Sequence, residues 1–175
     1  MPQFQNPQGK PEELSRDQLI RDVAWLMEEL ASLKYMIGTI PYSERPMGQE
    51  SVLDMLSKIG RASDTFFRPV ICAICKGGEV IETGLSMKFE SVFQNQENIQ
   101  AEPDVLLDQL IEKRRILVDR LKQCDAKALG RTVQFKEGEM PVSQFLLMMA
   151  FFDRRQLKLI AERVLAMEGN RQTTS

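Results

Sequence analysis

Four segments of this chain carry apolar residues at alternating steps of three and four, a spacing that commits each to an amphipathic helix long enough to pack against the others. In the first, Leu19, Val23, Leu26, Leu30, Leu33 and Ile37 follow at 4-3-4-3-4. Ser15 precedes this stripe with Gln18 three positions later, a capping-box spacing, and Gly38 can close the helix. The second stripe starts near Ser51 and runs through Val52, Leu56, Ile59, Ser63, Phe66 and Val70. Before it, Pro41, Pro46 and Gly48 mark a loop. Pro69 should end or kink this helix near Arg68, because proline lacks the amide hydrogen and crowds the preceding turn.

The third stripe is Leu107, Leu110, Arg114, Leu117, Leu121 and Cys124, with an arginine inside it and Asp104 as a candidate N-cap after Pro103. The fourth spans about 142–167 through Leu146, Ala150, Leu157, Ile160, Val164 and Met167, with Asp153 at the step an apolar residue would fill. Four such helices bury their stripes most simply as an all-α, antiparallel four-helix bundle. The connection between the second and third helices, over 72–103, is long against the ~2–8 residues usual in bundles. It is expected to cross one end of the bundle or cover an opening in it, and Met87, Phe89, Val92 and Phe93 are spaced for a short amphipathic helix. Thr132-Val-Gln-Phe135, Lys-Glu-Gly and Glu139-Met read as a small hairpin. The expected organisation is a single domain over 15–168 with disordered tails at 1–14, rich in Gln, Asn and Pro, and at 169–175.

Several functions are disfavoured. The 23 Lys and Arg are interleaved with 25 Asp and Glu, for a net charge of −2, so no basic face offers itself to nucleic acid. The longest apolar run, around Phe145 to Met149, is far short of the ~20 residues of a membrane span. The N-terminal stretch lacks an apolar h-region. Together with an odd count of three cysteines, Cys72, Cys75 and Cys124, this points to reduced thiols and a cytoplasmic location. Cys72-Ala-Ile-Cys75 has redox or zinc spacing. Without histidine the chain cannot assemble a standard zinc set, and no βαβ context surrounds the motif, so small packing residues near a helix end are the simpler reading. The chain contains no histidine at all, which removes any Ser-His triad. Gly77-Gly78 lacks the Gly-Lys-Ser/Thr of a phosphate loop. The ten methionines read as core filler.

Three pieces together resemble the DinB/YfiT-like superfamily of four-helix-bundle proteins, over roughly 17–167. They are Trp25 in Val-Ala-Trp-Leu-Met-Glu-Glu-Leu, the loop from Ile40-Pro41 to Pro46-Met-Gly48 leading into Ser51-Val-Leu-Asp-Met-Leu-Ser-Lys-Ile59, and Pro141-Val-Ser-Gln-Phe-Leu continuing to Ala150-Phe-Phe-Asp-Arg-Arg-Gln-Leu157. The resemblance implies a site of three histidines: one on the second helix, and two at i and i+4 on the fourth, where they share a face and can grip one ion. It also implies thiol-dependent transferase or isomerase chemistry, and pairing of two copies through bundle faces. The three ligand positions align to Lys58, Phe152 and Gln156. An ammonium repels a cation, a phenyl ring has no lone pair, and glutamine is a poor sole ligand. The resemblance therefore implies the fold and withholds the metal.

Trp25, Lys58, Phe152, Asp153 and Gln156 are the candidate ligand-binding residues, with no catalytic residue, metal or cofactor expected. Lys58 could replace the metal's charge and hold a small anionic ligand with Gln156 donating, or act as a base. An inward ammonium satisfied by Asp153 or Asp54 is simpler, because a buried charge needs a partner. The expected function is a non-catalytic module that binds a small ligand or a protein, as a homodimer. The alternative is a metal-independent, thiol-dependent transferase using Lys58 or Cys75.

Overall fold

The computed structural model describes residues 15–36, 40–45, 48–78, 80–89 and 102–172, with side chains to Met167. The first helix, α1 (Arg16–Tyr35), is capped by Ser15, whose hydroxyl accepts from the Gln18 amide. The second begins as α2 (Val52–Ala62) behind a full capping box, Ser51 with Asp54. Pro69 does not end it. The backbone passes through a π-turn at Ser63–Phe67, in which the Arg68 amide reaches back to the Ser63 carbonyl, and continues as α3 (Arg68–Lys76). The wider turn resets the register, so Pro69 falls in the opening turn of the next α-helical stretch, where its missing donor matters least.

The third helix, α4 (Pro103–Gln123), starts at Pro103 with Glu102 as its cap, so Asp104 stands in the first turn and not at the cap position. The fourth, α5 (Val142–Gln172), carries helical backbone past 169, where a tail is expected from the sequence. The tail expected at 1–14 lies outside the described residues. A 3-10 turn (Ala126–Gly130) and the expected hairpin, β2 (Thr132–Phe135) with β3 (Gly138–Pro141), lie between α4 and α5. A third strand, β1 (Val80–Glu82), pairs parallel to β2 with Val80 opposite Thr132. The short helix expected around Met87 and Phe89 is not formed at Met87, whose amide instead donates to the Glu137 side chain; Val92 and Phe93 lie outside the described residues.

Contacts between helix ends give the directions. Arg16, at the start of α1, donates to the carbonyls of Leu121, Lys122 and Cys124 at the end of α4, satisfying acceptors the helix leaves open. Lys34, at the end of α1, pairs with Asp104 and Asp108 at the start of α4. These two helices are therefore antiparallel. Lys113 meets Asp64, and Arg120 meets Cys72 further along, so α2–α3 runs parallel to α4. Phe67 packs on Phe152, while Leu56 and Ile59 share a cluster with Ile160, so α2–α3 runs antiparallel to α5. The order is up-down-down-up. Two consecutive parallel helices require the chain to travel back along the bundle, which is the physical reason for the long connection between α3 and α4.

Candidate polar site inside the bundle

The bundle interior is two apolar clusters. One holds Leu19, Val23, Phe66, Phe67, Ile71, Leu117, Phe145 and Phe152; the other holds Leu26, Leu30, Leu56, Ile59, Leu107, Leu110 and Ile160. Where they meet, the stripes of α2–α3, α4 and α5 each switch to a polar residue, while that of α1 stays apolar. Ser63 falls between Ile59 and Phe66, Arg114 between Leu110 and Leu117, and Asp153 with Gln156 between Phe152 and Ile160, and all four are buried.

Arg114 anchors this layer. Its Nη2 donates to Asp153 Oδ1 at 3.0 Å, its Nη1 lies 2.8 Å from Oδ2, and Nη1 also reaches the Val23 carbonyl at 3.4 Å. The Oδ2 contact is one of charge and not a well-aligned hydrogen bond. Burial pushes the Asp153 carboxyl up to about 6, against the opposing pull of Arg114, and burial likewise lowers Arg114. Gln156, one turn from Asp153, has a buried carbonyl oxygen with no hydrogen-bond partner among the described residues.

Lys58 is not held by Asp153 or Asp54. Both oxygens of Glu50 take its ammonium at 2.8 Å, and the lysine side chain keeps 20% exposure at the bundle wall. The two expected carboxylates are engaged elsewhere. Asp153 belongs to Arg114, and Asp54 is gripped by Arg45 through Nε at 3.0 Å and Nη2 at 2.8 Å while it closes the α2 capping box. Burial would raise the Asp54 carboxyl, but Arg45 and Ser51 outweigh it and hold the group below the usual range. The expectation of an Asp-paired Lys58 is thereby corrected: Glu50, eight residues upstream, reaches the ammonium from the loop before α2.

Phe152 is buried in an aromatic cluster, its ring 5.5 Å from both Phe67 and Phe89, with Phe89 stacked on Phe66 at 4.1 Å. The residues present do not fit a metal centre. Lys58 is tied to a carboxylate, Phe152 offers only a ring, and Gln156 is one weak donor. Among the described residues no three His, Cys, Asp or Glu side chains converge as a metal-binding group.

Trp25 stands apart from this layer. Its ring carries the Arg154 guanidinium at 5.5 Å, and Arg154 also donates to Asp22 at 2.8 Å. One turn further along α1 begins an apolar groove of about 390 Å3, walled by Leu33 of α1, by Met36 just past its end and by Leu157, Ala161, Val164 and Leu165 of α5. Met36 and Leu165 are exposed on it. The sequence reading missed this groove. Its signal was present in Ala161 and Leu165, one helical turn apart and outside the core stripe of α5.

The cysteine reading is corrected in part. Cys75, in the last turn of α3, is disulfide-bonded to Cys124 at the end of α4, with Cα atoms 5.0 Å apart, inside the range a bridge requires. Cys72 remains a free thiol.

The fold is similar to that of YfiT from Bacillus subtilis, described as a probable metal-dependent hydrolase with an unusual four-helix bundle topology. The two share 12% identity at a TM-score of 0.69, over 94% of this chain and 94% of that one. No protein-family model and no curated protein sequence matches the chain. The likeness bears out the four-helix-bundle fold expected from the sequence. Among the described residues no helix is long and apolar enough to cross a membrane.

Proposed function

We propose that this protein acts by binding and not by catalysis, and that its binding surface is the apolar groove between α1 and α5. The observation that carries the reading is the bidentate hold of Glu50 on Lys58. An ammonium neutralised in this way is neither a free anion receptor nor a base, and Phe152 is packed against the rings of Phe67 and Phe89. The polar residues at mid-bundle thus serve the fold. The groove offers apolar walls with exposed Met36 and Leu165 at its edge, the kind of surface that takes an apolar helical face.

The occupant proposed is the same groove of a second copy, giving a two-fold homodimer with self-complementary contacts. Trp25, the single tryptophan, lies one turn from Glu29 at the groove and reports on it. Sedimentation of the wild-type chain at micromolar concentration should give a dimer, with Trp25 emission changing on dilution through dissociation. Ala161→Glu should give a folded monomer with concentration-independent emission. A monomeric wild-type chain, or a dimer indifferent to Ala161→Glu, would contradict the reading.

One observation favours a second reading, a small anionic ligand. The Gln156 amide is buried with its carbonyl oxygen unpartnered, and an amide can turn to donate. Lys58 would have to leave Glu50 to join it. The thiol-dependent transferase has less support still, since Lys58 is paired and Cys75 is bonded to Cys124.

A further inference from the structure

Three cysteines meet where α3 and α4 end, although only two are bonded. Cys75 and Cys124 form the bridge. Cys72 stands three positions before Cys75 on α3, and residues so spaced are neighbours on a helix surface. All three are half-buried, so solvent reaches the group. Arg120 of α4 places Nη1 2.8 Å from the Cys72 sulfur, setting a cation against the atom that would carry charge as an attacking thiolate. The helix that bears Cys72 and Cys75 stops directly after them, at Gly77 with a φ of 88° and Gly78 with a φ of 120°.

We propose that this cluster is a disulfide-exchange site in which Cys72 is the entering thiol. The Cys72 thiolate attacks the Cys75 sulfur, a Cys72–Cys75 bond forms, the Cys75–Cys124 bond breaks, and Cys124 leaves as a thiolate that takes up the proton Cys72 gave to solvent. The step is an isomerisation with no net oxidation, so it needs no external oxidant or reductant. Its consequence is mechanical and chemical together. The bridge spans 49 residues of sequence and ties the end of α3 to the end of α4, where Arg16 caps the α4 carbonyls. Exchange moves the bond within α3, unties the two helices and presents a new thiol at Cys124. Arg120 is a positioning residue for the attack.

The test is disulfide mapping by mass spectrometry on the oxidised full chain, held at pH 8 without added thiol and quenched in acid. Wild type should yield both isomers, Cys75–Cys124 and Cys72–Cys75. Cys72→Ser should retain only Cys75–Cys124. Cys124→Ser, treated with oxidised glutathione, should close Cys72–Cys75, which checks that the short bridge is geometrically accessible in the folded chain. Arg120→Met should slow the approach to the isomer mixture about tenfold, as expected for removing a charge beside an attacking thiolate. Circular dichroism of each variant separates slowed exchange from lost structure. Finding only Cys75–Cys124 in wild type, or no Cys72–Cys75 bond in folded Cys124→Ser, overturns the proposal. So does a wild-type chain that forms no Cys75–Cys124 bond.

Discussion

Arg114 and Asp153 form an ion pair between α4 and α5, with Nη1 and Oδ2 2.8 Å apart and both side chains only 2% exposed. Desolvation of two charges consumes most of what their attraction returns, so such a pair adds little net stability, yet breaking it strands a charge. Arg114→Met or Asp153→Leu alone should therefore destabilise the fold by ~3–5 kcal/mol, whereas the double variant should come within about 1 kcal/mol of wild type or exceed it. Urea melts of the three variants measure this. Additive losses in the double variant would mean that the two side chains act independently.

The same pair predicts a sign for pH dependence. The Asp153 carboxyl is raised from 3.8 to about 6 by burial, against the pull of Arg114. The folded chain then binds this proton at higher pH than the unfolded chain does, so the contribution to stability is full below about 3.8 and is lost as pH rises through about 6. Against the non-titrating Arg114→Met/Asp153→Leu double variant, wild type should gain stability between pH 7 and pH 4. Asp54 behaves oppositely. Its carboxyl lies below the usual value, so its contribution is present above that usual value and falls away as pH drops through its lowered one. Urea melts at stepped pH separate the two groups, and a wild-type advantage that shrinks on acidification contradicts the assignment for Asp153.

Phe152 should be a structural residue. Its ring is enclosed by Phe67 and Phe89, and Phe152→Ala should cost ~3–5 kcal/mol, as truncation of a buried aromatic does. A loss below about 1 kcal/mol in denaturant melts would place little weight on the aromatic cluster.

Lys58 should be dispensable. Its pair with Glu50 sits at the bundle wall, and partly exposed ion pairs are worth ~0–1 kcal/mol, so Lys58→Met should melt close to wild type. Phosphate, sulfate and small carboxylic acids should leave both melts unchanged. A wild-type melting temperature that rises saturably with one anion, together with a Lys58→Met melt that ignores it, would favour the anionic-ligand reading.

Much of this architecture was legible in the residue pattern, for definite reasons. The four helices and the β2–β3 hairpin follow from local periodicity and turn chemistry. Arg114 and Asp153 stood out because each interrupts an apolar stripe, whereas Ser63 passed as an ordinary member of its own. What periodicity cannot carry is which faces meet. It put Arg114 and Asp153 inside the bundle without joining them, and it set Lys58 against the wrong carboxylate, because Glu50 sits in the loop before α2, outside any stripe. Strand β1 escaped notice since its three residues are defined by a partner strand some fifty positions away. The Cys75–Cys124 bond likewise depends on the ends of two helices arriving together. Pro69 signalled a disturbance correctly, but whether a helix stops there or absorbs it through a π-turn depends on the packing of Phe66 and Phe67 around the break.

The account rests on the mid-bundle polar layer being part of the fold and not a metal or ligand centre. Elemental analysis of tag-free protein, after equilibration with zinc, nickel or iron and removal of free ion, tests this most directly. The account predicts far less than one metal per chain, unchanged in Gln156→Ala and in the Arg114→Met/Asp153→Leu double variant. A ratio near one metal per chain, lost in either variant, would contradict it.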